Sequence, residues 1–245
     1  MDKLAKKSKE FLLELFFPSF CLGCKKEGVF LCYDCKSTLE ISEYNYCLCN
    51  KDPLRLPAGE KSGKCSRCKD KKLSGLYSAL PYKEKFLTRK LIYQFKYQPH
   101  IKSLSKTLAE IVLEHLFLAK NLETQTWENS ILIPVPLEIK RLKNRGYNQS
   151  EELANRLGHT LNVPLVSDNL VKTKKTLPQM ELSAKDRQEN VRGAFAIKNP
   201  QEIAGKKVFL VDDVYTTGAT MEECAKTLKE AGAKQVWGIV IARER

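Results

Sequence analysis

The chain has 245 residues, of which 42% are hydrophobic and 29% are charged, and its formal net charge is +13. A chain of this kind buries one sizeable core and carries a small appendage. It has no apolar run long enough to span a membrane, since Phe11–Phe20 is short and interrupted by Glu14 and Pro18.

The positive charge is unevenly placed, because residues 201–245 are neutral and the whole excess precedes them. This distribution favours a large anionic partner such as nucleic acid, while solubility alone is an equally good explanation. Residues 3–17 predict a short amphipathic helix that docks on the body of the protein. The residues before Cys21 lack the small-residue cleavage pattern of a signal peptide, so the expected location is the cytoplasm.

Eight of the nine cysteines lie between residues 21 and 68, in two groups of four. The first group has two C-x₂-C pairs separated by seven residues and consists of Cys21, Cys24, Cys32 and Cys35. The second group has one pair that is a residue shorter, and it consists of Cys47, Cys49, Cys65 and Cys68. Four thiolates at such spacing suit a closed tetrahedral Zn²⁺ site, so we expect one or two structural zinc ions, with ligand pairs either nested or sequential. Disulfides are the alternative, which a reducing cytosol disfavours.

The basic run at residues 69–72 and Gly75 suggest a domain junction. We therefore predict an N-terminal helix and double zinc ribbon over residues 1–75, followed by a second domain over residues 76–245. The metal should supply much of the folding free energy of the small domain, because so polar a region has little core of its own.

The second domain begins with alternating strand and helix patterns. A strand is predicted over residues 76–82, helices near 85–97 and 102–118, and a buried strand at 131–137 that Pro134 and Pro136 interrupt. His115 is expected to be a partly exposed residue of its helix. A final strand is predicted at residues 235–242.

A basic segment at residues 140–149 follows the strand that contains Pro134. Arg145 lies just after a strand end, where its guanidinium could pair with pyrophosphate oxygens, or it is ordinary surface. Asn148 and Glu151 form a capping-box pattern before a helix that extends to about residue 159. Residues 173–186 form a polar, basic loop that either closes over a ligand or is a mobile connection.

The most informative segment lies at residues 208–220. Val208–Val211 predicts a buried parallel strand, and Asp212 and Asp213 come where it ends. A loop rich in hydroxyls then precedes a helix, and it consists of Thr216, Thr217, Gly218, Ala219 and Thr220. Such a loop can hold a phosphate at the helix N-terminus, while the acids accept hydrogen bonds from sugar hydroxyls and help to hold hydrated Mg²⁺. The alternative is a strand, a turn and a capped helix.

This segment resembles the motif that binds phosphoribosyl pyrophosphate (PRPP) in type I phosphoribosyltransferases. The resemblance implies an α/β fold, with a mostly parallel sheet flanked by helices, behind the small zinc-ribbon domain. It also implies that PRPP binds with Mg²⁺ at Asp212, Asp213 and the loop from Thr216 to Thr220, with Arg145 as a further ligand.

The order of motifs along the chain resembles the ComF family of bacterial competence proteins. These motifs are the cysteine groups, Lys96-Tyr97, Pro134-Val-Pro136, residues 145–149, residues 176–195 and the PRPP motif. The resemblance covers about residue 12 to the last residue. It implies participation in DNA uptake during natural transformation, handling of single-stranded DNA, and contact with other proteins of the uptake machinery.

Two functions from different classes remain open at this stage. The first is a nucleic-acid-handling protein that uses PRPP as a ligand or switch. Six tyrosines among the basic residues could stack on unpaired bases, namely Tyr44, Tyr46, Tyr77, Tyr82, Tyr93 and Tyr97. The second is an active phosphoribosyltransferase that acts on a nucleobase or another small acceptor, for which the sequence offers no recognisable acceptor site.

Overall fold

The structure is a computed structural model, and it describes residues 18–57, 62–82, 86–97, 101–176 and 184–244. The helix predicted over residues 3–17 lies outside the described residues. So does the middle of the loop predicted to close over a ligand, at residues 177–183.

Four parallel strands form the central sheet: β1 (Gly75–Pro81), β2 (Ser130–Pro134), β5 (Lys207–Tyr215) and β6 (Gln235–Arg243). They are hydrogen-bonded in the order β1–β6–β5–β2. A separate antiparallel pair is formed by β3 (Leu170–Lys172) and β4 (Phe195–Ile197). The predicted α/β fold with a mostly parallel sheet flanked by helices is therefore confirmed.

The helices of the described residues pack around this sheet or connect its strands. They are α1 (Tyr33–Ser37), α2 (Phe86–Lys96), α3 (Leu104–Leu118), α4 (Thr124–Trp127), α5 (Ile139–Arg145), α6 (Gln149–Leu161), α7 (Ala184–Val191) and α8 (Ala219–Glu230). Single 3₁₀ turns lie at Ser66–Cys68 and Pro200–Glu202. Asn148 caps α6 as predicted, since its side chain accepts a hydrogen bond from the backbone N–H of Ser150.

The sheet is covered on both faces, because alternate side chains of each strand point to opposite sides. Phe209 and Val211 of β5 belong to one core, which α2, α3 and α6 cover. Val208 and Leu210 belong to the other, which α8 and the β3–β4 pair cover. Burial on both faces explains why residues 208–211 form an uninterrupted apolar run.

The strand β5 is longer than predicted. It continues to Tyr215, so Asp212 and Asp213 lie within its second half and not beyond its end. The reason is one-sided pairing: β6 still pairs with residues 212–215 of β5, whereas β2 pairs with it only as far as Val211. The two acids therefore lie in the part of β5 that pairs with β6 on one side and no longer pairs with β2 on the other.

The cysteine-rich region packs on both faces of the same sheet. Leu22 and Leu39, near the first cysteine group, join the core under α2 and α3. Leu48 and Leu73, near the second group, join the core under α8. The division into domains at residue 75 stays a prediction, and the two parts share their hydrophobic cores.

The expectation that His115 is partly exposed was wrong. Its side chain is 1% exposed, and its Nδ1 lies 2.6 Å from the carbonyl oxygen of Ser42. The cysteine-rich region covers this part of α3, which the pattern of the helix alone did not reveal.

Candidate functional site

Asp213 is the most deeply buried acid of the predicted site. Its side chain is 4% exposed, and its Oδ1 lies 2.7 Å from Nζ of Lys96 at the end of α2. The other carboxylate oxygen, Oδ2, is buried and has no hydrogen-bond partner among the described residues. A buried, ionised oxygen costs free energy unless a hydrogen-bond donor or a cation lies against it. The position of Oδ2 therefore favours either a ligand with a hydroxyl group or a bound cation.

Lys96 supplies the charge that balances the acid pair. Burial by itself lowers the pKa of Lys96, but the charge and hydrogen bond of Asp213, with Asp212 beyond it, raise the pKa above the ordinary lysine value. The ammonium group is therefore charged at neutral pH. A buried cation that touches one acid allows a second acid to lie close by.

Asp212 lies beside Asp213 and has a different environment. Its Oδ1 accepts hydrogen bonds from Oγ of Ser150 at 2.9 Å and from the backbone N–H of Asp213 at 2.9 Å. Burial and the charge of Asp213 nevertheless raise the pKa of Asp212 to about 7. The carboxyl therefore exchanges its proton near neutral pH, and a cationic ligand would favour the ionised form.

The loop after β5 turns sharply into α8. Gly218 has a φ of 80°, and a Cβ there would lie 2.3 Å from the hydroxyl oxygen of Tyr215. Oγ1 of Thr217 accepts a bond from the backbone N–H of Ala219 at 3.4 Å. Oγ1 of Thr216 lies 3.5 Å from the Arg187 guanidinium of α7. This compact turn comes directly before α8, as the sequence predicted, at the helix N-terminus where backbone N–H groups favour an anion.

Arg145 ends α5 and faces the acid pair. It is half-buried, it donates a hydrogen bond to Oε1 of Gln149, and its Cζ lies 5.9 Å from the ring centroid of Tyr97. Burial lowers the pKa of Arg145, and the charge of Asp213 opposes that change. The structure thus brings Arg145, Lys96 and both acids to one end of β5, next to the loop from Thr216 to Thr220.

The eight N-terminal cysteines form two clusters, and the pairing is sequential. In each cluster all four sulfurs lie within 4.8 Å of one another, and the members are Cys21, Cys24, Cys32 and Cys35, and Cys47, Cys49, Cys65 and Cys68. A Zn–S bond of about 2.3 Å implies sulfurs about 3.8 Å apart in a tetrahedron. Sγ separations of 3.5 Å between Cys24 and Cys32 and of 3.7 Å between Cys65 and Cys68 fit that geometry. All nine cysteines are free in the structure.

The thiols of each cluster shift one another's pKa. Burial opposes ionisation of Cys21, but backbone N–H groups lower its pKa to about 6. Hydrogen bonding by Cys32, with burial, raises the pKa of Cys35 to about 12. In the second cluster the pKa of Cys65 is lowered to about 6 and that of Cys49 raised to about 12. Four sulfurs this close together match the ligand set of a structural zinc ion, so both clusters could bind zinc, including the one with the short Cys47-x-Cys49 pair.

Comparisons with known proteins agree with these features. The phosphoribosyl transferase domain family matches residues 109–245. Competence protein F of Haemophilus influenzae is 37% identical over 158 residues, which cover 62% of this chain and 67% of that protein. DNA utilization protein YhgH of Salmonella typhi is 31% identical over 221 residues, which cover 84% of this chain and 95% of that protein. Competence protein ComFC of Streptococcus pneumoniae is 32% identical over 211 residues, 84% of each chain.

The chain belongs to the ComF family. The resemblance that its motifs indicated is thereby confirmed, as is the α/β phosphoribosyltransferase fold behind a cysteine-rich region. No helix in the described part of this ComF family member is long and apolar enough to cross a membrane.

In this ComF family member the second cysteine cluster is bonded directly to the loop after β5. Nδ2 of Asn50 donates to the carbonyl oxygen of Thr217 at 2.8 Å. Nζ of Lys71 donates to the carbonyl oxygen of Leu48 at 2.7 Å and to the hydroxyl of Tyr215 at 2.8 Å. The position of the loop therefore depends on the fold of the cluster.

Three further hydrogen bonds join the cluster to β6 and α8. The Arg243 guanidinium donates to the carbonyl oxygens of Cys47 and Cys49. The backbone N–H of Lys72 donates to Oε2 of Glu222 at 2.7 Å. Together with the contacts of Asn50 and Lys71, these bonds bind the second cluster to both elements that flank the loop.

Three residues of the site were missed by the reading of the sequence. Lys96 belongs to a family motif, but its role as partner of Asp213 depends on how α2 packs on the sheet. Ser150 was visible only as part of a helix start. No sequence pattern indicated a role for Asn50, because its partner Thr217 lies in a distant part of the chain.

Proposed function

We propose that this ComF family member binds PRPP together with Mg²⁺ at the end of β5 and handles single-stranded DNA during DNA uptake or utilization. The observation that carries the PRPP proposal is Oδ2 of Asp213, a buried carboxylate oxygen without a partner among the described residues. It lies at the carboxyl edge of a parallel sheet, where ligands of such folds bind.

Each part of PRPP has a complementary group in the site. Asp212 and Asp213 accept hydrogen bonds from the ribose hydroxyls. The loop formed by residues 216–220 holds the 5′-phosphate with backbone N–H groups at the start of α8 and with its hydroxyls. Arg145 contacts the pyrophosphate, and Mg²⁺ neutralises its remaining charge with water and phosphate oxygens as ligands.

Zinc has a structural role in this proposal. Both Cys₄ clusters are closed sites, in which four thiolates leave no position for a substrate. Metal in the first cluster stabilises the region that packs under α3. Metal in the second cluster stabilises the segment that contacts Thr217 and Tyr215.

The DNA part of the proposal rests on charge and on relatives. The net charge of +13 lies in residues 1–200 and therefore does not come from the strand β5 or the helix α8. Relatives are named as competence and DNA utilization proteins. A polyanion is the partner that such a charge distribution attracts most strongly. Other proteins of the uptake machinery are further proposed partners.

The test is incubation of the purified protein with Mg²⁺ and PRPP in the presence of single-stranded oligonucleotides and a panel of nucleobases. Pyrophosphate release and DNA binding are measured in the same samples. The proposal predicts DNA binding that falls steeply with salt and no base-dependent pyrophosphate release. Pyrophosphate release triggered by one free base, with no DNA binding at low salt, would instead establish a phosphoribosyltransferase of small acceptors.

A further inference from the structure

The outward side of α2 carries three exposed aromatic rings. Phe86 is 79% exposed, Tyr93 is 56% exposed and Tyr97, directly after the helix, is 39% exposed. Their spacing places them on one face, and a rise of about 1.5 Å per residue separates the first from the last by about 16 Å. The opposite side of α2 packs in the core through residues such as Leu91 and Phe95. The aromatic face is therefore not needed to anchor the helix.

This aromatic face is rich in cations. The helix α2 contains no acidic residue, and its cations Arg89 and Lys90 lie toward this face by helical spacing, whereas Lys96 turns inward to Asp213. Nζ of Lys90 lies 5.7 Å from the ring centroid of Phe86. The rings of Tyr93 and Tyr97 lie 4.9 Å apart, too close for a base to enter between them, so any flat ligand must stack on their outer surfaces.

A second basic helix continues the same surface. The helix α5 contains four cations and no acidic residue, namely Lys140, Arg141, Lys143 and Arg145. Cζ of Arg145 lies 5.9 Å from the ring centroid of Tyr97, so the ends of α2 and α5 meet. Two apolar residues of α5 are also exposed, Ile139 at 68% and Leu142 at 39%.

The residue types of this surface favour one of three possible partners: a protein, duplex DNA or single-stranded nucleic acid. Protein interfaces are depleted of lysine, whereas α2 and α5 expose aromatic rings among several lysines and arginines. Duplex DNA presents phosphates, but its base faces are stacked within the helix. An unpaired strand offers both a flat face for each ring and a phosphate for each cation.

We propose that the exposed face of α2, continued by α5, is a stacking platform for single-stranded nucleic acid, an inference that rests on the proposed function. Bases stack on Phe86, Tyr93 and Tyr97. Phosphates pair with the exposed lysines and arginines of the two helices, and not with Lys96, whose ammonium group holds Asp213.

The positions of Tyr97 and Arg145 also indicate where a nucleic-acid strand bound to the platform would end. Tyr97 faces outward, while its neighbour Lys96 turns inward to Asp213. Arg145 contacts Tyr97 on one side and faces the acid pair on the other. A strand on the platform therefore ends beside the proposed PRPP site. Because coupling between binding sites is reciprocal, PRPP and DNA change each other's affinity by the same factor.

The experiment is fluorescence anisotropy with a labelled oligo-dT, carried out on the full chain with Tyr93→Ala, Tyr93→Phe and a control, Phe117→Ala. Phe117 is another exposed aromatic residue, 69% exposed, on α3. Loss of stacking on one base weakens binding by roughly 5- to 150-fold, so Tyr93→Ala should fall in that range. Tyr93→Phe and Phe117→Ala should bind within about twofold of the parent chain. With an abasic oligonucleotide of equal charge, Tyr93→Ala should bind as the parent does, since no base is available to stack.

Each outcome decides a different part of the proposal. Absence of oligo-dT binding by the parent chain overturns the DNA part of the proposed function, and the platform with it. Binding by the parent with equal affinity in Tyr93→Ala overturns the platform alone. If light scattering shows that the parent is a dimer and Tyr93→Ala a monomer with unchanged DNA affinity, the face is a contact between copies and the platform is refuted. Equal PRPP affinity in all variants confirms that the variants are folded.

Discussion

The ion pair between Lys96 and Asp213 should couple the stability of the protein to its proposed ligand site. The two charged atoms lie 2.7 Å apart, and the side chains are 22% and 4% exposed. At an effective dielectric constant of about 20, Coulomb's law gives about 6 kcal/mol of gross attraction at this distance. Desolvation offsets part of this attraction, and the partial exposure of the lysine reduces it further.

A double-mutant cycle measures what remains of that attraction. Lys96→Met keeps the length of the side chain and removes its charge, and Asp213→Asn removes the acid. Each single change should lower the free energy of unfolding by about 2–4 kcal/mol, because it leaves a buried charge without its partner. The double variant should be more stable than the sum of the two losses predicts, by about 2–4 kcal/mol.

Urea denaturation at pH 8 is a suitable assay, since the raised pKa of Lys96 keeps the pair charged there. Lys96 contributes to the free energy of unfolding in full below the pKa that it has in the unfolded chain. This contribution is lost only as the pH rises through the higher pKa of Lys96 in the folded protein. Losses that add to within about 0.5 kcal/mol would show that the two residues do not interact, and the reasoning would be refuted.

Three further predictions concern the loop, the acid pair and the clusters. Gly218→Ala should destabilise the protein by more than the roughly 1–2 kcal/mol of a left-handed alanine, since its Cβ would lie 2.3 Å from a tyrosine hydroxyl. Gly28→Ala, at a φ of 93° with nothing within 4 Å, should cost only the backbone strain, and thermal unfolding of the two variants compares them. The pKa of Asp212 is raised to about 7 in the folded protein. Its protonation therefore adds to the free energy of unfolding fully below the ordinary pKa of aspartate, and this addition is lost as the pH rises through 7. Urea titrations at pH 4 to 8 should therefore show stability falling more steeply in the parent than in Asp212→Asn, and parallel curves would contradict the assignment. Cys65→Ser and Cys24→Ser should each release one of two zinc equivalents, measured by mass spectrometry of the metal. Cys65→Ser should weaken PRPP binding roughly 3- to 10-fold and Cys24→Ser should not, because within the described parts of the chain it is the segment of the second cluster that is bonded to Thr217 and Tyr215.

Much of the architecture was predictable because its signals are local. The apolar run Val208–Val211, the small residues around Gly218 and the spacing of the cysteines each specify a structure within a few residues. The second cluster forms in spite of its short Cys47-x-Cys49 pair, and the backbone N–H of Leu54 donates to Sγ of Cys47 at 3.1 Å.

The contacts between distant segments were not predictable in the same way. Lys96 meets Asp213 only because apolar side chains of α2 dock that helix on the sheet. His115 is buried only because the cysteine-rich region covers α3 and places the carbonyl oxygen of Ser42 against it. Asn50 reaches Thr217 by the same kind of tertiary packing. Hydrophobic periodicity identifies the face that is buried, but not the polar groups that meet at its edges.

The measurement that tests the central claim most directly is calorimetric titration of PRPP into the protein with and without Mg²⁺. The parent chain should bind one PRPP per chain in a Mg²⁺-dependent way. Asp213→Asn should bind it roughly 10- to 150-fold more weakly, the range for the loss of a hydrogen bond to a charged group. Absence of binding by the parent chain, or equal affinity in Asp213→Asn, would contradict the proposal that the end of β5 is a PRPP site.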